Sequence, residues 1–267
     1  MVLGAPDTKG IVGEVKRTKV KGRHAVYIGT AGWSVPKSHS EDVPVEGTHL
    51  ERYARTLRCV EINSTFYRPH REKTFSRWAA ATPEGFRFAV KMAKTVTHEA
   101  KLRNCGAQLA TFFAPLSQLG EKLGPVLVQL PPKLVFDAGE SREFFGTLRE
   151  LHAGRVVLEP RHASWFSGEA EQLLREFEVA RAMADPPGGS SLAATPGGWP
   201  GMRYYRLHGA PRKYWSQYEE PFLRKLAHTI ERDQGAGETW VIFDNTAHNH
   251  AFGDALTLQR LSGHVGR

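Results

Sequence analysis

Eight short β-branched or apolar runs recur along the chain, and each ends abruptly in polar, charged or glycine residues. They begin at Ala25 (AVYIGTAGW), Cys59 (CVEINSTFY), Phe86 (FRFAVKM), Val126 (VLVQLPP), Val156 (VVLEPRH), Ala180 (ARAMADPP), Arg203 (RYYRLHG) and Trp240 (WVIFDNT). Successive starts lie roughly 25 to 40 residues apart, the length of one βα unit with its loops. Eight such units in 267 residues is the rhythm of an α/β fold, a single (β/α)8 TIM-type barrel over residues 25–267. In that fold the C-terminal strand ends build the site, so the polar endings of the runs are where chemistry is expected.

Helical stripes fill most of the intervals. Leu50, Tyr53, Ala54 and Leu57 follow the first run, and Phe75, Trp78 and Ala79 the second. Phe144, Phe145, Leu148 and Leu151 follow the fourth, with Ser141 expected as N-cap. Leu173, Leu174 and Phe177 follow the fifth, Phe222, Leu223, Leu226 and Ile230 the seventh, and Ala251, Ala255 and Leu258 the eighth. The stretch from Pro186 to Gly201, PPGGSSLAATPGGWPG, has no helical pattern. It reads either as a mobile lid over the site or as an inconsequential insertion.

The formal charge of +8 is divided unevenly. Residues 1–24 hold six basic residues against two acidic ones, so half the excess sits in a leader with no hydrophobic periodicity, expected to be disordered. Such a leader is compatible with nucleic-acid attraction. Cys59 and Cys105 show neither metal spacing nor a disulfide framework and read as small apolar residues of a reducing compartment. No membrane-length apolar stretch and no signal-peptide core occur, which points to the cytoplasm and away from a membrane partner.

Strand alternation assigns the inward faces. Glu61 with Asn63, Arg87 with Ala89 and Lys91, Leu127 with Gln129, Val157 with Glu159 and Arg161, and Tyr204 with Arg206 and His208 each share a face. Their aliphatic neighbours suit the helix-facing layer, so these polar residues point into the barrel. A charge there is costly unless paired, and Glu61 and Glu159 are expected to meet Lys91, Arg161 or Arg206. The bland alternative is a satisfied internal network, but charge from several strands at one end is how a site is built in this fold.

Glu61 and Glu159 are candidate acid/base groups, Lys91 and Arg206 electrostatic stabilisers, and His98 or His208 a proton shuttle. Asn63, Tyr67, Gln129 and Asn245 are candidate ligand contacts, as are Arg161, His162 and Trp165, where an aromatic beside arginine can wall an anionic ring-bearing ligand. The loop HGAPRKYWSQY adds Tyr214 and Tyr218 among basic residues, a pattern suited to a sugar, a nucleotide or single-stranded nucleic acid. Trp215 of that loop reads equally well as packing beneath it. Metalloprotease, zinc, Walker and dinucleotide signatures are missing, and GTAG from Gly29 is only a weak phosphate loop. Lys91, Arg161 and Arg206 compete with a cation for the carboxylates, so no metal and no cofactor are expected.

IGTAGW, VEINSTFYR, FAVKM with THEAKL, GPVLVQLPP, LEPRHASW, YYRLHG and FDNTAHNHAFGDAL occur in that order from about Tyr27 to Leu261. Together they resemble the YecE-like family, domain of unknown function 72. The resemblance implies a TIM-type barrel and supplies no catalytic assignment. The basic leader, Pro160 and the long loop after the sixth run depart from the family pattern, and Pro160 bears on the aim of Arg161. The leading expectation is a metal-independent hydrolase- or lyase-type enzyme binding a small anionic, phosphate-bearing or nucleic-acid-like ligand. The alternatives are a glycoside-hydrolase-like pair of carboxylates and a non-catalytic nucleic-acid-binding protein that uses the leader.

Overall fold

The computed structural model describes residues 24–232 and 237–263. The expected leader, except for His24, lies outside the described residues. The strands are β1 (Ala25–Ala31), β2 (Cys59–Ile62), β3 (Arg87–Lys91), β4 (Leu123–Gln129), β5 (Val156–Glu159), β6 (Val179–Arg181), β7 (Met183–Asp185), β8 (Gly197–Gly198), β9 (Met202–Leu207) and β10 (Glu238–Phe243). Parallel pairing runs β9-β10-β1-β2-β3-β4-β5-β6, and β7 pairs with β9. The sixth run is therefore one barrel strand divided at Ala182. Its first half bonds to β5, its second half to β9, and the ring closes through it. The (β/α)8 expectation holds.

Alternation along the strands sorts the core into two layers. Val60, Ile62, Phe88, Val90, Val126, Val128, Val156, Leu158, Val241 and Phe243 face outward under the helices. Cys59, Ala89, Leu127, Val157, Ala180, Ala182, Met202, Tyr204, Trp240 and Ile242 fill the barrel interior. Both cysteines are buried, as small apolar residues. Trp240 stacks between Tyr27 and Tyr204, with centroids 4.5 and 6.3 Å away. This aromatic stack plugs the lower barrel and leaves only the upper end for polar groups.

The outer layer comprises α1 (His49–Ala54), α2 (Glu72–Ala80), α3 (Gly106–Phe113), α4 (Ala138–Leu151), α5 (Gly168–Glu176), α6 (Glu220–Arg232) and α7 (His250–Leu261). Each expected stripe lies on or at the end of one of them. Helix α3 was not legible because it is short and its start, Cys105, offers no side-chain cap. Helix α4 begins one turn earlier than expected. Asp137 caps it by accepting from the Glu140 amide, and Ser141 is buried inside the helix.

The segment after β7 takes the place of the missing helix and is not a lid. It returns along the barrel wall through a 3-10 turn (Ser191–Ala194) that buries Ala193, and β8 pairs antiparallel with β6. Buried Arg181 ties it down, donating to the Leu192 and Thr195 carbonyls (3.0 and 3.1 Å) and pairing with Glu171. A sequence with no helical period is thus ordered by side-chain bonds to its carbonyls.

Gly29 is a packing residue rather than part of a phosphate loop. A Cβ there would overlap the Cys59 carbonyl oxygen of the neighbouring strand. Gly29→Ala is expected to cost about 1–3 kcal/mol by overpacking, read as a lower midpoint in urea at an unchanged m-value.

Candidate active site

The barrel mouth is organised around Arg206 of β9, whose side chain is 0% exposed. Its Nε and Nη2 donate to the two carboxylate oxygens of Glu61 (3.0 and 2.6 Å), a bidentate fork. Its Nη1 donates to Glu159 (2.7 Å), and Nη2 also reaches Asp244 (3.0 Å). Three carboxylates from β2, β5 and the end of β10 thus converge on one guanidinium. The Tyr204 hydroxyl donates to Glu61 (2.8 Å) from one layer below. The expected pairing of both glutamates with a cation is present, and Arg206 makes most of it.

A second tier lies nearer solvent. Gln129 donates to both Glu159 oxygens at 3.1 Å, and Arg161 donates to Glu159 through Nε and Nη2 (3.2 and 3.0 Å). Pro160 therefore leaves Arg161 folded back onto its own strand. Fully buried His208 sets Nδ1 3.1 Å from Asp244, while its Nε2 lies 3.4 Å from Glu159 without a hydrogen bond. Lys91 is 8% exposed, and no carboxylate among the described residues lies within ion-pair distance of its amine. The amine lies over the Phe66 ring, whose centroid is 4.4 Å from Nζ. His98 also packs edge-on against Phe66, with ring centroids 4.9 Å apart and Nδ1 on the Thr97 hydroxyl (2.8 Å).

These contacts set the charge states. Burial pushes the Glu159 carboxyl up, but Arg206, His208 and Arg161 outweigh it and hold the group well below the usual carboxylate range. Asp244 shows the same opposition, with burial raising it and Arg206 and His208 bringing it down. Burial lowers the Lys91 amine, and Arg206 lowers it further against the pull of the carboxylates. Lys213 is lowered by burial and by Arg161. Burial lowers the His98 imidazole too, and Lys91 and Arg161 reinforce the effect.

Several expected contacts have other roles. Trp165 is 1% exposed and donates its indole N–H to the Leu134 carbonyl, so it packs and is no ligand wall. His162 turns back to cap its own 3-10 turn through Ser164. Tyr218 donates to Asp185 (2.8 Å) and accepts from the Gly209 amide, while Asn245 donates to Ser216 and Asp254, so both tie down the loop after β9. Tyr67 is exposed beside the mouth, and Tyr214 stands edge-on over His208 at 5.4 Å. Asn63 stays at the rim with its side-chain oxygen buried and unpartnered among the described residues.

Sequence reasoning left three participants without a place in the network. Asp244 continues the inward Trp240–Ile242 alternation one step further, a signal that was present in the sequence. Tyr204 was placed inward but given no partner. Lys213 stood among the basic residues of HGAPRKYWSQY, but only the folding of that loop brings it into the field of Arg161 and Glu159.

A family model described as "Protein of unknown function DUF72" matches residues 27–266. The chain belongs to this family. It is 35% identical to the UPF0759 protein YecE of Escherichia coli K12 over 151 residues, 56% of this chain and 53% of that protein. The chain thus spans about half the length of this curated relative. A DUF72 protein of Thermotoga maritima of known structure superposes with a TM-score of 0.71 at 26% identity, covering 89% of this chain and 99% of that one. One from Enterococcus faecalis gives 0.75 at 20% identity, with 89% and 95% covered. The DUF72 neighbours carry the same barrel. No helix among the described residues is long and apolar enough to cross a membrane.

Proposed function

We propose that the mouth of this DUF72 barrel binds an anionic, phosphate-bearing ligand and performs acid/base chemistry of hydrolase or lyase type on it. The observation that carries this reading is Lys91. The three carboxylates are already engaged by Arg206, so Lys91 is a nearly buried amine with no carboxylate within ion-pair distance among the described residues, and Glu61, Asp244 and Glu159 attract it only from further away. An anion placed there offsets the cost of burying that charge. Arg161, 19% exposed and tied only to Glu159 among the described carboxylates, supplies a second donor fork, and Lys213 adds charge from the opposite loop.

The geometry redistributes the roles expected from sequence. Arg206 cannot touch a ligand, because its guanidinium is enclosed by carboxylates. Glu61 and Glu159 serve as its counter-charges. Both glutamates are closed around one guanidinium, and Arg161 also holds Glu159, which counts against a glycosidase pair that flanks a sugar. Proton transfer falls to His98 at the rim, whose Nδ1 is fixed by the Thr97 hydroxyl. His208, oriented by Asp244, serves as the inner proton carrier.

The test is calorimetric titration of the full chain with inorganic phosphate and with a simple phosphate ester at several ionic strengths. Saturable binding of both supports the reading. Absence of phosphate binding would remove it. A rival reading rests on the loop after β9, where Arg212 stacks on half-exposed Trp215 at 4.0 Å and His248 lies 4.4 Å away. Tight capture of single-stranded oligonucleotide with a steep salt slope and no phosphate binding would favour that alternative.

A further inference from the structure

Beside the mouth, on the same end of the barrel, lies a cleft of about 370 Å³. Its walls come from the loop after β2, the segment after β3, and α3 with the turn that follows it. Phe66, Tyr67, Pro69, Phe112 and Pro115 give the cleft a mostly apolar lining, with Arg68, His70, Lys94 and Gln108 also on its wall. Its size is that of a small-ligand site. No step of the acid/base reading uses it.

Phe66 joins the two. Its ring lines the cleft and also stands 4.4 Å from the Lys91 amine and 4.9 Å from the His98 ring. Thr65, another cleft residue, donates its hydroxyl to the Lys91 carbonyl (2.7 Å), which fixes the cleft wall to the strand that carries the amine. Tyr67, 72% exposed, meets Phe66 edge-on at 5.0 Å. A buried amine and an aromatic wall therefore share one side chain as their boundary. An anion held by Lys91 has an apolar trough immediately next to it, across Phe66.

Resting on the anion-binding reading above, we infer that the ligand is a phosphate ester whose alcohol part carries a flat, largely apolar ring, with the phosphate on Lys91 and Arg161 and the ring in this cleft. The pairing of charge and aromatic wall selects against two simpler occupants. A polyhydroxy sugar would set many of its hydroxyls against the apolar part of the lining, Phe66, Phe112 and the prolines, which offers them no hydrogen-bond partner. A purely apolar molecule would leave the amine uncompensated.

Three probes separate the parts: inorganic phosphate, 1-naphthyl phosphate and 1-naphthol, each titrated into the full chain. The naphthyl ester is expected to bind at least about tenfold more tightly than inorganic phosphate, because the ring leaves water. Thr111→Trp, at an exposed α3 position on the cleft, is expected to remove that gain and leave inorganic phosphate binding unchanged. Equal affinity for the ester and inorganic phosphate in the wild-type protein overturns the inference, and that comparison needs no variant. So does a gain that survives Thr111→Trp in a protein with wild-type melting temperature, or naphthol bound as tightly as its phosphate. Failure of inorganic phosphate and ester alike instead removes the anion-binding reading beneath it.

Discussion

Arg206→Met is expected to destabilise the protein by about 3–5 kcal/mol, a fall of about 10 °C or more in melting temperature for a domain of this size. Methionine has comparable length and packs well, so the loss comes from charge. Glu61, Glu159 and Asp244 would keep their burial and lose the guanidinium that now reaches all three. Arg206→Lys is expected to recover little, because one ammonium cannot present a fork to Glu61 while also reaching Glu159.

The pH dependence distinguishes this cause from a cavity. In the wild-type protein the folded pKa values of Glu159 and Asp244 lie below their ordinary values. Their stabilisation is therefore fully present above the unfolded carboxylate range, about pH 4, and is lost as pH falls through the folded values. In Arg206→Met burial dominates and those pKa values rise, so the penalty is present at high pH and is relieved as the carboxyls protonate. Denaturant midpoints of the two proteins should converge between pH 8 and pH 4.5. A gap that stays constant over that range, or a variant melting within about 2 °C of wild type at pH 7.5, would sink the account.

Lys91→Met is expected to do the opposite: little or no loss of stability, and loss of the ligand. A buried charge without a partner is a cost, and replacing it by an apolar side chain of similar volume is neutral or stabilising. Phosphate affinity should fall by about 2–3 kcal/mol, roughly 30- to 150-fold. Because burial and Arg206 lower the Lys91 amine, wild-type affinity should decline with rising pH sooner than for an ordinary lysine. The variant should lack most of that decline, since only Lys213 remains among the lowered amines at the mouth. A strongly destabilised variant with unchanged phosphate affinity would show Lys91 to be a packing residue.

The eight β-runs and their alternation were legible because both follow from local rules. A strand buried on both faces needs apolar residues outward, and any polar residue inward must sit at the open end. That placed Glu61, Lys91, Gln129, Glu159, Arg206 and His208 on one barrel face before any coordinates. The same rules fail where side chains bond to backbone at long range. Nothing local marks Arg181 as the anchor of residues 191–198, or Trp165 as a donor to Leu134 across 31 positions.

The sequence alone determined the barrel, the end that carries the chemistry and the residues that face inward, because each depends on a period of two along single strands. Only the tertiary structure decided how those residues divide. Arg206 is enclosed by three carboxylates, Lys91 has none within ion-pair distance among the described residues, and an apolar cleft meets it across Phe66. Pairing among inward charges depends on strand register and side-chain reach across five strands, which no single segment encodes.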